Sequence, residues 1–412
     1  MAIVICTVAF AGLMFTEDLR AITGFSISML KSCTKMDPMT NSSGPSADKK
    51  RKEKTETDDL QEVDGIQFVP HKNCSIEKGK WIFNNSSKLF YTDESCPYLD
   101  KQVSCLSNGR PDTDYLNWEW LPDDCILPRF NGTDLLEKLR GKRLMFSGDS
   151  LQKGQWQSLI CMVESHIPPN KKSIKRGRSH SVFKAKDYNA SIEFYWSPYL
   201  IESNSDEPII ADTRKRIIRV DSISKHARYW EGVDFLIFNS YVWWTSDPQI
   251  KTLWGSFANG EEGFEELDSI TAYRMAIKTW ANWVDSNVNQ SCTRVFFTTP
   301  SPTHMRSADW KQEKGIQCYN ETTPVARRGY WGTGSNKKMM NVLSSVVARM
   351  KIHVTFINIT QLSDYRKDGH ASVYTGELTD EQKNNPQTHA DCIHWCLPGV
   401  PDTWNQILYA YL

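Results

Sequence analysis

The chain has 412 residues, enough for one large domain or two ordinary ones. Its 49 Lys and Arg balance 49 Asp and Glu, so the net charge is zero and nothing global argues for nucleic acid or an anionic surface as partner. Aromatics are abundant, with 15 Trp, 15 Tyr and 17 Phe; they suit a large core, or in part a sugar cleft, since flat rings stack on the C–H faces of pyranoses.

Residues 2–15 are nearly all apolar, yet shorter than the roughly 20 residues of a full membrane span. No basic residues precede them, and Thr16-Glu-Asp-Leu-Arg20 follows in place of a small-residue cleavage site. Residues 1–15 are therefore expected to be an uncleaved signal anchor, or part of one. No later stretch has the character of a span. Residues 16–66 are polar and charged, centred on Asp48-Lys-Lys-Arg-Lys-Glu-Lys54, and are expected to form a flexible stem. A folded domain is expected over 67–412. Its first part, 67–140, carries four cysteines and clear turns such as Asn108-Gly-Arg-Pro-Asp112, as expected of a cysteine-stapled lobe.

From residue 141 the pattern alternates between strand and helix. Arg143–Phe146 predicts a buried strand, 151–164 a helix, and 191–196 and 234–238 further strands. Residues 263–287 predict a long amphipathic helix, 294–298 a strand, 336–350 a helix and 354–357 a last strand. The basic stretch Lys171–Arg178 is expected to be a solvated loop. This order predicts an α/β fold, with a parallel sheet between helical layers. Sites in such sheets lie at the carboxyl ends of strands, where Ser150, Asn239 and Ser301 fall.

Eleven cysteines and nine Asn-x-Ser/Thr sequons (Asn41, Asn73, Asn84, Asn85, Asn131, Asn189, Asn289, Asn320 and Asn358) point to an oxidising secretory lumen. Nine cysteines fall in the folded part, so at most four bridges form there and one thiol is left over. Cys392-x-His394-x-Cys396 spaces its ligands poorly for zinc, and no metal is expected.

Ser147-Gly-Asp-Ser150 sits where the first strand of the core ends and a helix begins. Gly148 permits a sharp turn, and Ser150 there has an exposed hydroxyl and an unpaired backbone N–H suited to an oxyanion. Asp149 is expected to bind neighbouring backbone. Asp391 and His394 lie three residues apart, so one turn places both on one side. Ser150, His394 and Asp391 supply an alcohol, a base and an orienting carboxylate, the three groups that activate a serine. Asn239 offers either a second donor to the oxyanion hole or an ordinary turn asparagine.

The order Ser…Asp-x-x-His matches SGNH/GDSL hydrolases. Longer strings are more specific: Cys105-Leu-Ser-Asn-Gly-Arg-Pro-Asp112, Trp118-Glu-Trp120, Lys142-Arg-Leu-Met-Phe-Ser-Gly-Asp-Ser150, and Asp391-Cys-Ile-His-Trp-Cys-Leu-Pro-Gly-Val-Pro-Asp-Thr-Trp-Asn405. From Cys74 to Leu412 the chain resembles the plant trichome birefringence-like family of Golgi polysaccharide O-acetyltransferases. Tyr188–Asp206 and Asn239–Trp244 look most like its xylan-acetylating branch. Three places depart from the usual family pattern: Lys153-Gly154 stands for Arg-Asn, Glu119 for a basic residue, and Asp368-Gly-His370 for Asp-Ala-His.

The resemblance implies an SGNH-like α/β/α domain with a smaller disulfide-rich lobe, and Ser150, Asp391 and His394 as catalytic triad. It implies bridges Cys74–Cys125, Cys96–Cys161, Cys105–Cys396 and Cys318–Cys392, with Cys292 free. It implies transfer of acetyl groups to xylosyl residues of xylan through an acetyl-serine. No bound cofactor is expected, only an acetyl donor, acetyl-CoA or another carrier; the partners are a xylan-type acceptor and the membrane, not nucleic acid. The protein is expected in the Golgi membrane, single-pass type II, with its catalytic domain luminal. The alternatives are a wall-polysaccharide acetyl-esterase and a non-catalytic polysaccharide-binding protein.

Overall fold

The computed structural model describes residues 75–412 apart from Pro208 and Glu262. The expected anchor and stem, and with them Cys6, Cys33, Asn41, Asn73 and Cys74, lie outside the described residues. Among these no helix is long and apolar enough to cross a membrane.

The centre is a seven-stranded sheet. In chain order its strands are β3 (Arg143–Gly148), β4 (Lys172–Lys175), β5 (His180–Ala185), β6 (Ala190–Trp196), β9 (Phe235–Phe238), β12 (Arg294–Thr298) and β13 (Val354–Ile357). Across the sheet the order is β13-β12-β9-β3-β6-β5-β4. Leu144, Met145 and Phe146 of β3 are all fully buried, and so are the four residues of β9. Continuous apolar runs of this kind belong to strands covered on both faces. The five strands from β13 to β6 are parallel. The sheet is not parallel throughout, however: β5 runs antiparallel to β6, and β4 to β5.

The expected loop Lys171–Arg178 is thus in part β4, an edge strand. Its alternating Lys-Ser-Ile-Lys suits an edge facing water, because exposed lysines discourage further strand pairing.

Two helical layers cover the sheet. Helix α2 (Ser150–Glu164) packs on β3 and β6 and beneath α6 (Val400–Tyr411). Trp156 of α2 lies against Phe194, and its indole N–H donates to the Ile192 carbonyl. On the opposite face lie α3 (Ser224–Trp230), whose Trp230 meets Phe238 edge-on, and α4 (Ser269–Asn287), whose Trp280 meets Phe238 and Phe297 edge-on. The helix expected from 263 starts only at Ser269. Asp268 caps it by accepting from Thr271 N–H, and the residues before it form β11 (Glu265–Asp268), paired with β10 (Gln249–Thr252). The helix expected over 336–350 spans α5 (Lys337–Val347). The other expected core elements stand within a residue or two of their predicted bounds.

β10 and β11 extend a small sheet with β7 (Glu202–Ser203) and β8 (Ile217–Arg219). In the cysteine-rich lobe β1 (Gly79–Phe83) pairs with β2 (Trp118–Pro122), and α1 (Gly132–Lys138) leads into β3. This lobe does not form a body of its own. Tyr91, Cys96, Trp120 and Phe130 share one apolar core with the sheet and its helices. The hydroxyl of Tyr91 donates to Asp402 of α6, which also accepts from Ser158 of α2 at 2.5 Å.

Three bridges are seen: Cys96–Cys161, Cys105–Cys396 and Cys318–Cys392. Cys125 is also disulfide-bonded. Cys292, expected to be the odd thiol, is disulfide-bonded as well. The expectation of one thiol left over at Cys292 therefore does not hold. Cys392 and Cys396 are both oxidised, so neither can offer a thiolate to a metal.

Candidate active site

The chain passes from β3 to β6 on one side of the sheet and later to β9 on the other. The carboxyl end of β3 is therefore a topological switch point, where open α/β sheets place their sites. Ser150 stands there as the first residue of α2. Asp149 is the N-cap: its Oδ1 accepts from Leu151 N–H at 2.9 Å, a contact worth about 1 kcal/mol to the helix. Asp149 is fully buried and its Oδ2 has no partner among the described residues. Burial pushes its carboxyl up to about 6, against the pull of the Leu151 and Gln152 N–H groups.

The other half of the site lies on β15 (Asp391–Trp395), which pairs with β14 (His370–Ser372). His394 Nε2 is 2.7 Å from Ser150 Oγ, and His394 Nδ1 is 2.7 Å from Asp391 Oδ2. The three groups thus form one hydrogen-bonded line across 244 residues of sequence. Asp391 Oδ1 accepts from the backbone N–H of Ile393 and of His394, at 3.0 and 2.9 Å. These bonds fold the strand start into a turn that brings carboxylate and imidazole together. The two side chains are 17% and 18% exposed, shielded yet reachable at one rim.

The electrostatics agree with this order. Burial disfavours a charged His394, but Asp391 outweighs burial and holds the imidazole above its usual value. Burial likewise works against a charged Asp391, but His394 and the two backbone donors hold its carboxyl well below the usual range.

Sequence reasoning missed Gln102. It sits in a short 3-10 turn, Lys101–Val103, of the cysteine-rich lobe. Its Nε2 lies 3.2 Å from Asp391 Oδ2 and 3.0 Å from His394 Nδ1. One signal for it existed, since the Cys105–Cys396 bridge brings the segments of Gln102 and His394 side by side.

Asn239 follows β9 beside Gly148. It is buried, one of its amide hydrogens goes to the Thr298 carbonyl at 3.0 Å, and its Oδ1 has no partner among the described residues. Ser301 accepts from the indole N–H of Trp395 and is buried. Trp244 is core: its N–H goes to Ser240 and its ring meets Tyr199 and Tyr273 edge-on. Trp243 is half-buried, with the Arg216 guanidinium over its ring at 3.7 Å.

The departures from the family pattern find places too. Lys153 pairs with Asp100 at 2.6 Å, and Glu119 accepts from Asn84. At Gly369 a Cβ would stand 2.9 Å from a Val400 methyl and 3.1 Å from the Trp395 ring, so glycine permits a closer approach than alanine.

Comparison with known proteins agrees with this geometry. Residues 127–411 match the GDSL/SGNH-like acyl-esterase family found in Pmr5 and Cas1p, and residues 72–126 match the PMR5 N-terminal domain. The chain is 55% identical over its full length to protein trichome birefringence-like 3 of Arabidopsis thaliana, covering 96% of that protein. It is 50% identical over 98% of its length to probable xylan O-acetyltransferase 8 of Oryza sativa subsp. japonica, covering 94% of it. It is 45% identical over 82% of its length to xylan O-acetyltransferase 6 of the same rice, covering 62% of that chain. The chain belongs to the GDSL/SGNH-like acyl-esterase family found in Pmr5 and Cas1p, within its trichome birefringence-like group.

Proposed function

We propose that this protein is a xylan O-acetyltransferase that works through an acetyl-serine at Ser150. The observation that carries the proposal is the line from Ser150 Oγ through His394 to Asp391, with 2.7 Å at each step. The relatives named xylan O-acetyltransferases support the acceptor.

In the first half-reaction Ser150 Oγ attacks the acetyl carbonyl carbon while His394 Nε2 takes its proton. The negative oxygen of the tetrahedral intermediate is met by the Ser150 N–H, which has no helical carbonyl before it. The remaining amide hydrogen of Asn239 is the second donor. Collapse breaks the bond to the donor's leaving group, which carries off the proton from His394. In the second half-reaction a xylosyl hydroxyl gives its proton to His394 and attacks the acetyl-serine. Collapse then releases the acetylated sugar and returns the proton to Ser150. Asp391 stays ionised throughout and stabilises the imidazolium.

The setting proposed is the Golgi lumen, with the N-terminal segment as a type II anchor. The disulfides support an oxidising compartment. The sequon residues Asn85, Asn131, Asn189, Asn289, Asn320 and Asn358 are exposed, so a glycan can be attached at each.

The test is incubation of the protein with acetyl-CoA, or an activated acetyl ester, and xylo-oligosaccharides, read by mass spectrometry. The expected result is acetylated oligosaccharide and an acetyl group on the peptide of Ser150, both absent in Ser150→Ala. Acetate release without an acylated sugar identifies an esterase. Sugar affinity with no acyl-serine identifies a binding protein.

A further inference from the structure

We infer that Gln102 is a positioning residue for acyl transfer, reaching from the cysteine-rich lobe to hold the Asp391–His394 pair; the inference rests on the function proposed above. Asp391 presents two oxygens and meets four donors. Oδ1 takes the N–H groups of Ile393 and His394, and Oδ2 takes His394 Nδ1 at 2.7 Å and Gln102 Nε2 at 3.2 Å. Turning the Gln102 amide over would set its oxygen against the carboxylate, so the amino group is the end that faces Asp391. That group is also 3.0 Å from His394 Nδ1. It therefore closes a triangle with carboxylate and imidazole. It fixes the direction of Oδ2 and withdraws part of the negative charge that His394 feels.

The turn bearing Gln102 is fastened to both halves of the site. Asp100, just before it, pairs with Lys153, three residues after Ser150, and with Arg176 at 3.0 Å. Val103, just after Gln102, accepts from Leu397 N–H at 2.9 Å, and Cys105 is bonded to Cys396. One flank follows the helix of the nucleophile, and the other follows the strand of the base.

The experiment uses the full chain and a fluorophosphonate probe, whose rate of attachment to Ser150 is followed against pH. In that step a bond forms from Ser150 Oγ to phosphorus, the Oγ proton goes to His394, and fluoride leaves. Gln102→Leu keeps the shape and removes the donor; Gln102→Glu keeps the shape and adds a charge. The expected plateau rate of Gln102→Leu is roughly tenfold below wild type, the scale of one lost hydrogen bond to a charged group. The acid limb of both variants moves to higher pH, further in Gln102→Glu, because His394 then faces more uncompensated negative charge. An unmoved limb in Gln102→Leu overturns the inference, whatever happens to melting temperature or to Gln102→Glu, whose added charge moves the limb by itself. If Gln102→Leu does not fold, Gln102→Met, which also removes the donor without adding charge, decides in its place. Failure of the wild-type protein to label at Ser150 overturns the proposed function instead.

Discussion

Gly148 and Asn239 close the ends of neighbouring strands so tightly that a Cβ on Gly148 would stand 2.6 Å from the Asn239 carbonyl oxygen. The same Cβ would meet the Gln152 side chain at 2.9 Å. The backbone oxygen belongs to a fully packed strand end and cannot swing aside. Gly148→Ala is expected to cost about 1–3 kcal/mol of stability and to push Ser150 off the His394 axis. Urea denaturation gives the first quantity, and the rate of serine acylation the second. Wild-type values for both would show that this strand end yields more readily than its packing implies.

The charges on Asp391 and His394 set two opposite pH trends. His394 is held above its ordinary value, so its contribution to stability is complete below about 6.5 and is lost as pH rises through the raised value. Asp391 is held below its ordinary value, so its contribution is present above about 3.9 and is lost as pH falls through the lowered one. The pair therefore stabilises the fold most between these limits. Catalysis needs a neutral Nε2, so the acid limb of activity should lie above about pH 6.5. Asp391→Asn should move that limb to lower pH and reduce the plateau by up to about 10⁴-fold. A pH–rate profile of both proteins, with melting temperatures over the same range, checks the two signs separately.

Cys105 and Cys396 are 291 residues apart in sequence. Closing a loop of that length restricts the unfolded chain by about 6 kcal/mol in the entropic account of disulfides. Cys396→Ser should lower the melting temperature markedly. It should also slow acylation of Ser150 at temperatures where the variant is still folded, since the bond holds the turn of Gln102 against the strand of His394. Circular dichroism and probe labelling at the same temperature separate the two effects.

Gly154 lies inside α2, and a Cβ there would meet nothing within 4 Å. Its backbone is helical, so alanine fits without strain. Gly154→Ala is expected to stabilise the protein by about 0.5–1 kcal/mol through the lower entropy of its unfolded chain. A rise in melting temperature with labelling of Ser150 unchanged is the predicted outcome.

Much of this site can be seen in one dimension because its parts are locally encoded. The apolar run of β3 followed by Gly-Asp-Ser announces a strand end and a helix start, and the spacing of Asp391 and His394 announces a turn. Gln102 has no such local signature: its contact with a residue 292 positions away is hinted at only by the Cys105–Cys396 bridge, which spacing alone does not reveal. The start of α4 was misplaced because Glu265–Asp268 carries helix-like polarity and becomes a strand only by pairing with β10. The strand Lys172–Lys175 was hidden for a related reason, since a charged edge strand has little hydrophobic pattern to betray it. Trp244 illustrates the converse: the same ring could line a cleft or fill a core, and only packing against Tyr199 and Tyr273 decides.

The 244-residue separation of Ser150 and His394 has a consequence for how the protein is made. A growing chain carries its nucleophile, helix and capping aspartate long before the base exists. On the proposed mechanism, serine acylation is therefore expected to be absent until late in folding. Ser150 gains its base only when β15 docks beside α2, so labelling at Ser150 would report completed assembly.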